Sequence, residues 1–171
     1  MIKAQEVDRY VREGGLEWNF DPVRGIYTSA TGAEYKVEFI EKKGFGVVEG
    51  STVPILKKIK VFVREDKSLE EVVKHTVHET VHVDNIRRCL LTRALGTTAG
   101  YLVPYFLDSS YNKEFGHSMS RRSFLISSAS FILAGSLGGW LTDELITDYQ
   151  TDKTMEKLKE AHKNKMKHKE K

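Results

Sequence analysis

The chain is predicted to be an α+β protein, with a small β-rich N-terminal part followed by a mostly helical core that carries a hydrophobic helical pair. Three observations predict it. Short extended runs separated by turn residues fill positions 16–63. A helix with its own start signal begins at Ser68, and two apolar segments of 19 residues each, 89–107 and 123–141, follow it. At 171 residues the chain is long enough for one domain with a sizeable core. The expected division is a β-rich part over 1–50, a core over 51–155 and a Lys-rich, disordered tail over 156–171.

Ala4 to Glu13 can make a short helix, stopped by Gly14-Gly15. The N-terminus has no apolar run of the kind a cleavable signal needs, and none is expected there. Gly25–Ser29 and Ala33–Ile40 flank Ala30-Thr31-Gly32, a hairpin turn between two strands. The second of these runs alternates polar and apolar residues, as a half-buried strand does. Phe45–Val48 is a candidate third strand. Ile55–Val63 reads as the strongest strand of all. As an edge strand it would pair with an extended peptide; as an ordinary core strand it would be buried.

The formal net charge is +3, and the Lys-rich stretch after Asp152 supplies much of it. The remainder is nearly balanced, which argues against a nucleic-acid partner. The single cysteine, Cys89, excludes an internal disulfide and a Cys-rich zinc site, and fits a reducing compartment.

The chemistry is concentrated in His78-Glu79-Thr80-Val81-His82. On a helix, residues four apart share a face, so both imidazoles can reach one ion. Glu79 falls about 100° round from His78, beside the ion, where it can take a proton from water. Six histidines could produce this pattern by chance. The surroundings argue otherwise: Ser68-Leu69-Glu70-Glu71 is a capping box, and Leu69, Val72, Val73, Val77, Thr80 and Val81 follow at helical spacing.

A catalytic zinc takes three protein ligands and keeps one position open. His117, Asp143, Glu144 and Asp148 are the downstream candidates. Glu144 and Asp148 are four apart on a helical stretch, so Glu144 can ligate while Asp148 accepts from a ligand imidazole N–H and fixes its orientation. An acidic helix start is the simpler explanation of the same pair. His75, one turn before His78, is a fourth ligand, a substrate contact or a packing residue. Asp84 is a weaker candidate for orienting an imidazole.

The apolar segments suit either a membrane hairpin or a tightly packed soluble core, because both are rich in Gly, Ser, Thr and Ala. Arg93 and Pro104 interrupt the first; the second carries no charge, and residues 108–122 between them are polar. In a hairpin, Arg87, Arg88 and the Lys-rich tail lie on the side of the motif, and Lys113, Arg121 and Arg122 lie opposite. The apolar segments favour a membrane-associated protein, and the charge bias then puts its active site on the cytoplasmic (or matrix) side, the alternative being a soluble cytoplasmic protein. Ser120–Leu125 imitates a twin-arginine signal but lies too far from the N-terminus to act as one.

Together, His78–His82 and, 62 residues after His82, Glu144-Leu145-Ile146-Thr147-Asp148 resemble the gluzincin metallopeptidases of the HtpX and CAAX prenyl protease type. The resemblance covers roughly residues 50–155. It implies a zincin-like core with a Zn2+ cofactor held by His78, His82 and Glu144, with Glu79 as general base and Asp148 orienting a ligand. It further implies an endopeptidase acting on a protein or peptide substrate, with membrane lipid as a second partner. Thr80-Val81, Thr147 and Tyr149 depart from the residues usual in that family. Tyr149 or His75 is the candidate contact for the substrate oxyanion. The alternative reading is a catalytically inactive zinc-binding or membrane-associated relative that works through protein partners.

Overall fold

The computed structural model describes residues 2–42 and 50–169. Its elements are α1 (Ala4–Glu13), β1 (Phe20–Asp21), β2 (Ile26–Thr28), β3 (Glu34–Glu41), β4 (Gly50–Val53), a 3₁₀ turn (Pro54–Leu56), β5 (Lys58–Val63), α2 (Leu69–Asp84), α3 (Ile86–Phe115) and α4 (Arg121–Lys169). The class is α+β, as the sequence predicts. The expected strand at Phe45–Val48 lies outside the described residues. The fold divides into two compact units, residues 1–86 with 147–171, and residues 87–146; α4 contributes to both.

The first unit is built on a five-stranded sheet of order β1-β2-β3-β5-β4. β3 and β5 run parallel and the other pairs antiparallel. Alternation along β5 turns Ile59, Val61 and Val63 inward, where they join Val72, Val73 and Val77 of α2 in the core. The run expected as one strand over Ile55–Val63 is shorter. Pro54 has no N–H to give a ladder, and the chain turns through Lys57 at φ 49° before β5 begins. Nor is β5 an edge strand: it lies between β3 and β4, and the edge is β4. Glycine has its use at Gly32, whose φ of 80° closes the turn from β2 to β3.

α2 starts where its capping box places it. Ser68 Oγ accepts from the Glu71 N–H at 3.3 Å, and the Glu71 carboxylate accepts from the Ser68 N–H at 2.8 Å. These bonds, with Lys67 beside it, hold the Glu71 carboxyl down to about 2.

Residues 156–169, expected to be disordered, continue α4 as helix. Composition misleads here because the lysines outnumber the anchors. Met155 and Leu158 are buried, and the His162 ring stacks on Tyr10 at 4.2 Å while its Nε2 lies 2.9 Å from the Tyr10 carbonyl. The spacing 155, 158, 162 is one helical stripe, and it docks on α1.

The second unit is a helical hairpin packed through glycine. A Cβ on Gly96 would strike the Gly135 carbonyl, one on Gly100 the Phe131 carbonyl, and one on Gly139 the Thr92 carbonyl at 2.6 Å. The partner numbers fall as the first rise, so the helices are antiparallel. Thr97 and Ser136 hydroxyls meet across the seam at 2.8 Å. At the open end the fully buried Asp143 lies 3.6 Å from Arg88 and 3.5 Å from Arg93. At the closed end Asp108 accepts from the Met119 N–H at 2.7 Å. Pro104 does not break α3, which runs through it.

This unit is apolar on its outside. Leu91, Leu95 and Phe106 on α3 and Leu125, Leu133 and Leu137 on α4 are exposed, while Cys89, Gly100, Pro104 and Gly139 are buried. Among the described residues one helix, α4, is long and apolar enough to cross a membrane, with mean hydropathy 1.6 over its most apolar stretch. α3 falls short of the expected pair, because Arg93, and to a lesser extent Pro104, Tyr101 and Tyr105, lower its mean hydropathy.

Two measurements check these features. Glu71→Gln should destabilise the protein at neutral pH, and the gap from wild type should close on acidification. The sign follows from a carboxyl held below its ordinary 4.5: its contribution is full above that pH and disappears as pH falls towards about 2. Thermal unfolding of both proteins between pH 7 and pH 2.5 tests it. In a Cys89→Ala background, Thr97→Cys with Ser136→Cys should form a disulfide on mild oxidation, and adding Gly135→Val should prevent it, as read on a non-reducing gel.

Candidate metal centre

On α2, His78 and His82 stand one turn apart and are both half-buried. Their rings meet edge to face, with centroids 4.8 Å apart, and their Nε2 atoms approach to 3.1 Å. The other nitrogen of each ring meets α4. His78 Nδ1 lies 3.2 Å from Asp148 Oδ1, and His82 Nδ1 lies 3.5 Å from Thr147 Oγ1. Two consecutive α4 residues therefore touch the outer nitrogens of two α2 histidines.

This arrangement constrains the protons. A hydrogen on His78 Nδ1, donated to the Asp148 carboxylate, leaves the Nε2 lone pair facing His82. If His82 Nδ1 likewise donates to the Thr147 oxygen, two lone pairs confront each other. They repel unless a cation or a shared proton joins them. The donor set fits zinc: two nitrogens bound to a tetrahedral ion at ordinary Zn–N distances stand roughly 3.4 Å apart, close to the 3.1 Å here.

Glu79, about 100° round α2 from His78, faces β4. It is only 6% exposed, and its Oε2 accepts a 2.6 Å hydrogen bond from the Thr52 hydroxyl of β4. Gly50, the other inward residue of β4, passes so close that a Cβ there would sit 2.5 Å from Glu79 Oε1. Thr52 and Gly50 were not among the residues the sequence singled out, and Thr147 was noted there without its contact to His82. A polar strand with Gly and Thr at its two inward positions was the available signal.

Of the third-ligand candidates, Glu144 is half-buried on α4, one turn before Asp148 on the same face of an unbroken helix. Asp143 is engaged with Arg88 and Arg93. His117 is exposed in the turn after α3, its ring 5.5 Å from that of Tyr111. His75 is half-buried one turn before His78, and Tyr149 is 68% exposed. Asp84 does not orient an imidazole as one reading had it. Its carboxylate accepts from the Tyr27 hydroxyl at 2.6 Å and from the Ala30 N–H at 2.8 Å, pinning the β2–β3 turn to the end of α2. Burial, then the bond to Asp84, pushes the Tyr27 phenol up.

No family model, curated protein or solved structure matches the chain.

Asp84→Ala should cost stability, about 2 kcal/mol for a charge-assisted bond lost beside a buried phenol, and leave the metal content of the purified protein unchanged. Denaturant unfolding and elemental analysis of the same preparation check both halves.

Proposed function

We propose that this chain is a zinc-dependent endopeptidase anchored to a membrane by its helical hairpin. The observation that carries the reading is the facing pair of Nε2 atoms at 3.1 Å, each on a ring whose other nitrogen meets α4. Orienting contacts of this kind fix the tautomer of a ligand imidazole. Glu144 is the proposed third ligand, because helical register carries it onto the face that Asp148 uses while Asp143 is committed to arginines. The resemblance to the HtpX and CAAX prenyl protease type supports the same set.

Bound zinc would polarise a peptide carbonyl and make water acidic enough to be deprotonated near neutral pH. Glu79 is the proposed general base: its carboxylate accepts the proton of the attacking water and returns it to the leaving amine. His75 and Tyr149 are the proposed contacts of the carbonyl oxygen. Burial of Glu79 removes competing solvent from the group that must hold the proton.

The membrane part rests on the inverted packing of the second unit. Large apolar side chains outside and glycine inside are what lipid tolerates and water does not. Nineteen helical residues rise about 28 Å, near the hydrocarbon thickness of a bilayer. The open end of the hairpin carries Arg87, Arg88 and Arg93 and the closed end Lys113, Arg121 and Arg122; the lysines after Asp152 tip the balance and favour a cytoplasmic (or matrix) active site.

The test uses full-length protein purified in detergent micelles and loaded with one equivalent of zinc. Wild type should cleave labelled casein. Glu79→Gln should keep its zinc and lose turnover, whereas Glu144→Ala should lose zinc as well, and Asp148→Ala should weaken zinc binding about 10- to 100-fold. Zinc retained by wild type without cleavage of any peptide would replace the enzyme by a non-catalytic zinc protein.

A further inference from the structure

β4 is an edge strand, and its register decides which of its residues look inward. Gly50 pairs with Val61 and Thr52 with Ile59, and both partners are fully buried on the face covered by α2. Directly opposed residues of an antiparallel pair share a face. Gly50 and Thr52 are thus the inward residues of β4, at positions where the neighbouring strand places Val and Ile. A strand chosen only to cover a core would repeat β-branched apolar residues there. This one instead offers a hydroxyl and an empty space, and both meet the same carboxylate.

We propose that Thr52 is a positioning residue for Glu79 and that Gly50 makes room for the carboxylate it positions. A glutamate has three side-chain torsions, and its terminal carboxylate turns broadly about the last of them. The Thr52 hydroxyl donates to Oε2 at 2.6 Å, a short, charge-assisted bond, and its oxygen also lies 3.3 Å from the Glu79 carbonyl. One threonine oxygen therefore contacts both the head and the root of the same glutamate. Oε1 lies over Gly50, where any side chain would displace it. Thr52 acts only through Glu79.

The inference rests on the endopeptidase reading, in which Glu79 is the base. A general base misplaced by about 1 Å loses on the order of a hundredfold in rate, with substrate binding largely untouched. The test compares wild type with Thr52→Val, Thr52→Ser and Gly50→Ala, each full-length, in micelles and loaded with one equivalent of zinc. Thr52→Val keeps the β-branched shape and removes the donor. It should retain zinc and thermal stability close to wild type, lower kcat on labelled casein about 10- to 100-fold and leave KM within about twofold. Thr52→Ser restores the donor and should recover most of kcat. Gly50→Ala should reproduce the kcat loss, because its methyl group pushes Oε1 away. A merely structural role would lower stability without this split between kcat and KM and without rescue by Ser. An unchanged kcat in zinc-loaded Thr52→Val, beside an active wild type, overturns the inference alone. A wild type that holds zinc and cleaves nothing overturns the endopeptidase reading, and the inference with it.

Discussion

The site depends on one contact: the histidine face of α2 against the Thr147–Asp148 step of α4, 65 residues on from His82. An imidazole on a helix turns about two torsions, and a second partner must fix it before its other nitrogen has a direction. That partner must itself be held still. α2 is fixed by the Ser68 cap and by Val72, Val73 and Val77 in the core; α4 is fixed by Met155 and Leu158 in the core and by His162 on Tyr10. Ion pairs also join the two helices, Lys74 to Asp152 at 2.7 Å and Glu70 to Lys159 at 2.5 Å. All four side chains are about half exposed, so these pairs add little. Buried apolar residues set the register of α4, and the histidines take their orientation from it.

The parts of this arrangement legible in the sequence were those written locally. A capping box is four consecutive residues, and the histidine pair is five, so α2 and its histidine face were readable without any knowledge of the fold. The hairpin turn at Ala30–Gly32 and the stop at Gly14-Gly15 belong to the same kind of signal. What failed depended on neighbours distant in sequence. Whether β5 is central or peripheral is decided by where β3 pairs, and nothing inside Lys58–Val63 records that. Asp84 reads as a spare carboxylate beside a histidine until Tyr27, 57 residues earlier, is seen to take it. The C-terminal lysines obscured a stripe of three anchoring residues because averages weigh every position equally, whereas docking needs only one face.

The second unit illustrates the same gap between average and pattern. Mean hydropathy passes α4 and not α3, yet the two helices pack as equals through Gly96, Gly100, Gly135 and Gly139. Arg93 does most to lower the average of α3, while glycines on both helices let the backbones approach. Close approach in turn strengthens the dispersion contacts between the two helices. The Thr97–Ser136 pair works alike: it subtracts from hydropathy and adds a bond across the seam.

Asp143 and Glu144 show how one helix can carry two unlike carboxylates side by side. Successive residues on a helix point about 100° apart, so adjacent acids serve different faces. Asp143 is wholly buried in the hairpin, and a buried carboxylate without countercharge would cost several kcal/mol; Arg88 and Arg93 of α3 supply it. The cluster sits at the open end of the hairpin, just past the apolar stretch of α4, and Arg93 is nearly half exposed there, so water can screen the excess positive charge. That placement explains why a buried acid is tolerated beside an apolar segment. It also separates the roles of the two acids: Asp143 holds the helices of the hairpin together, and Glu144, turned from it by one residue, shares its face with Asp148.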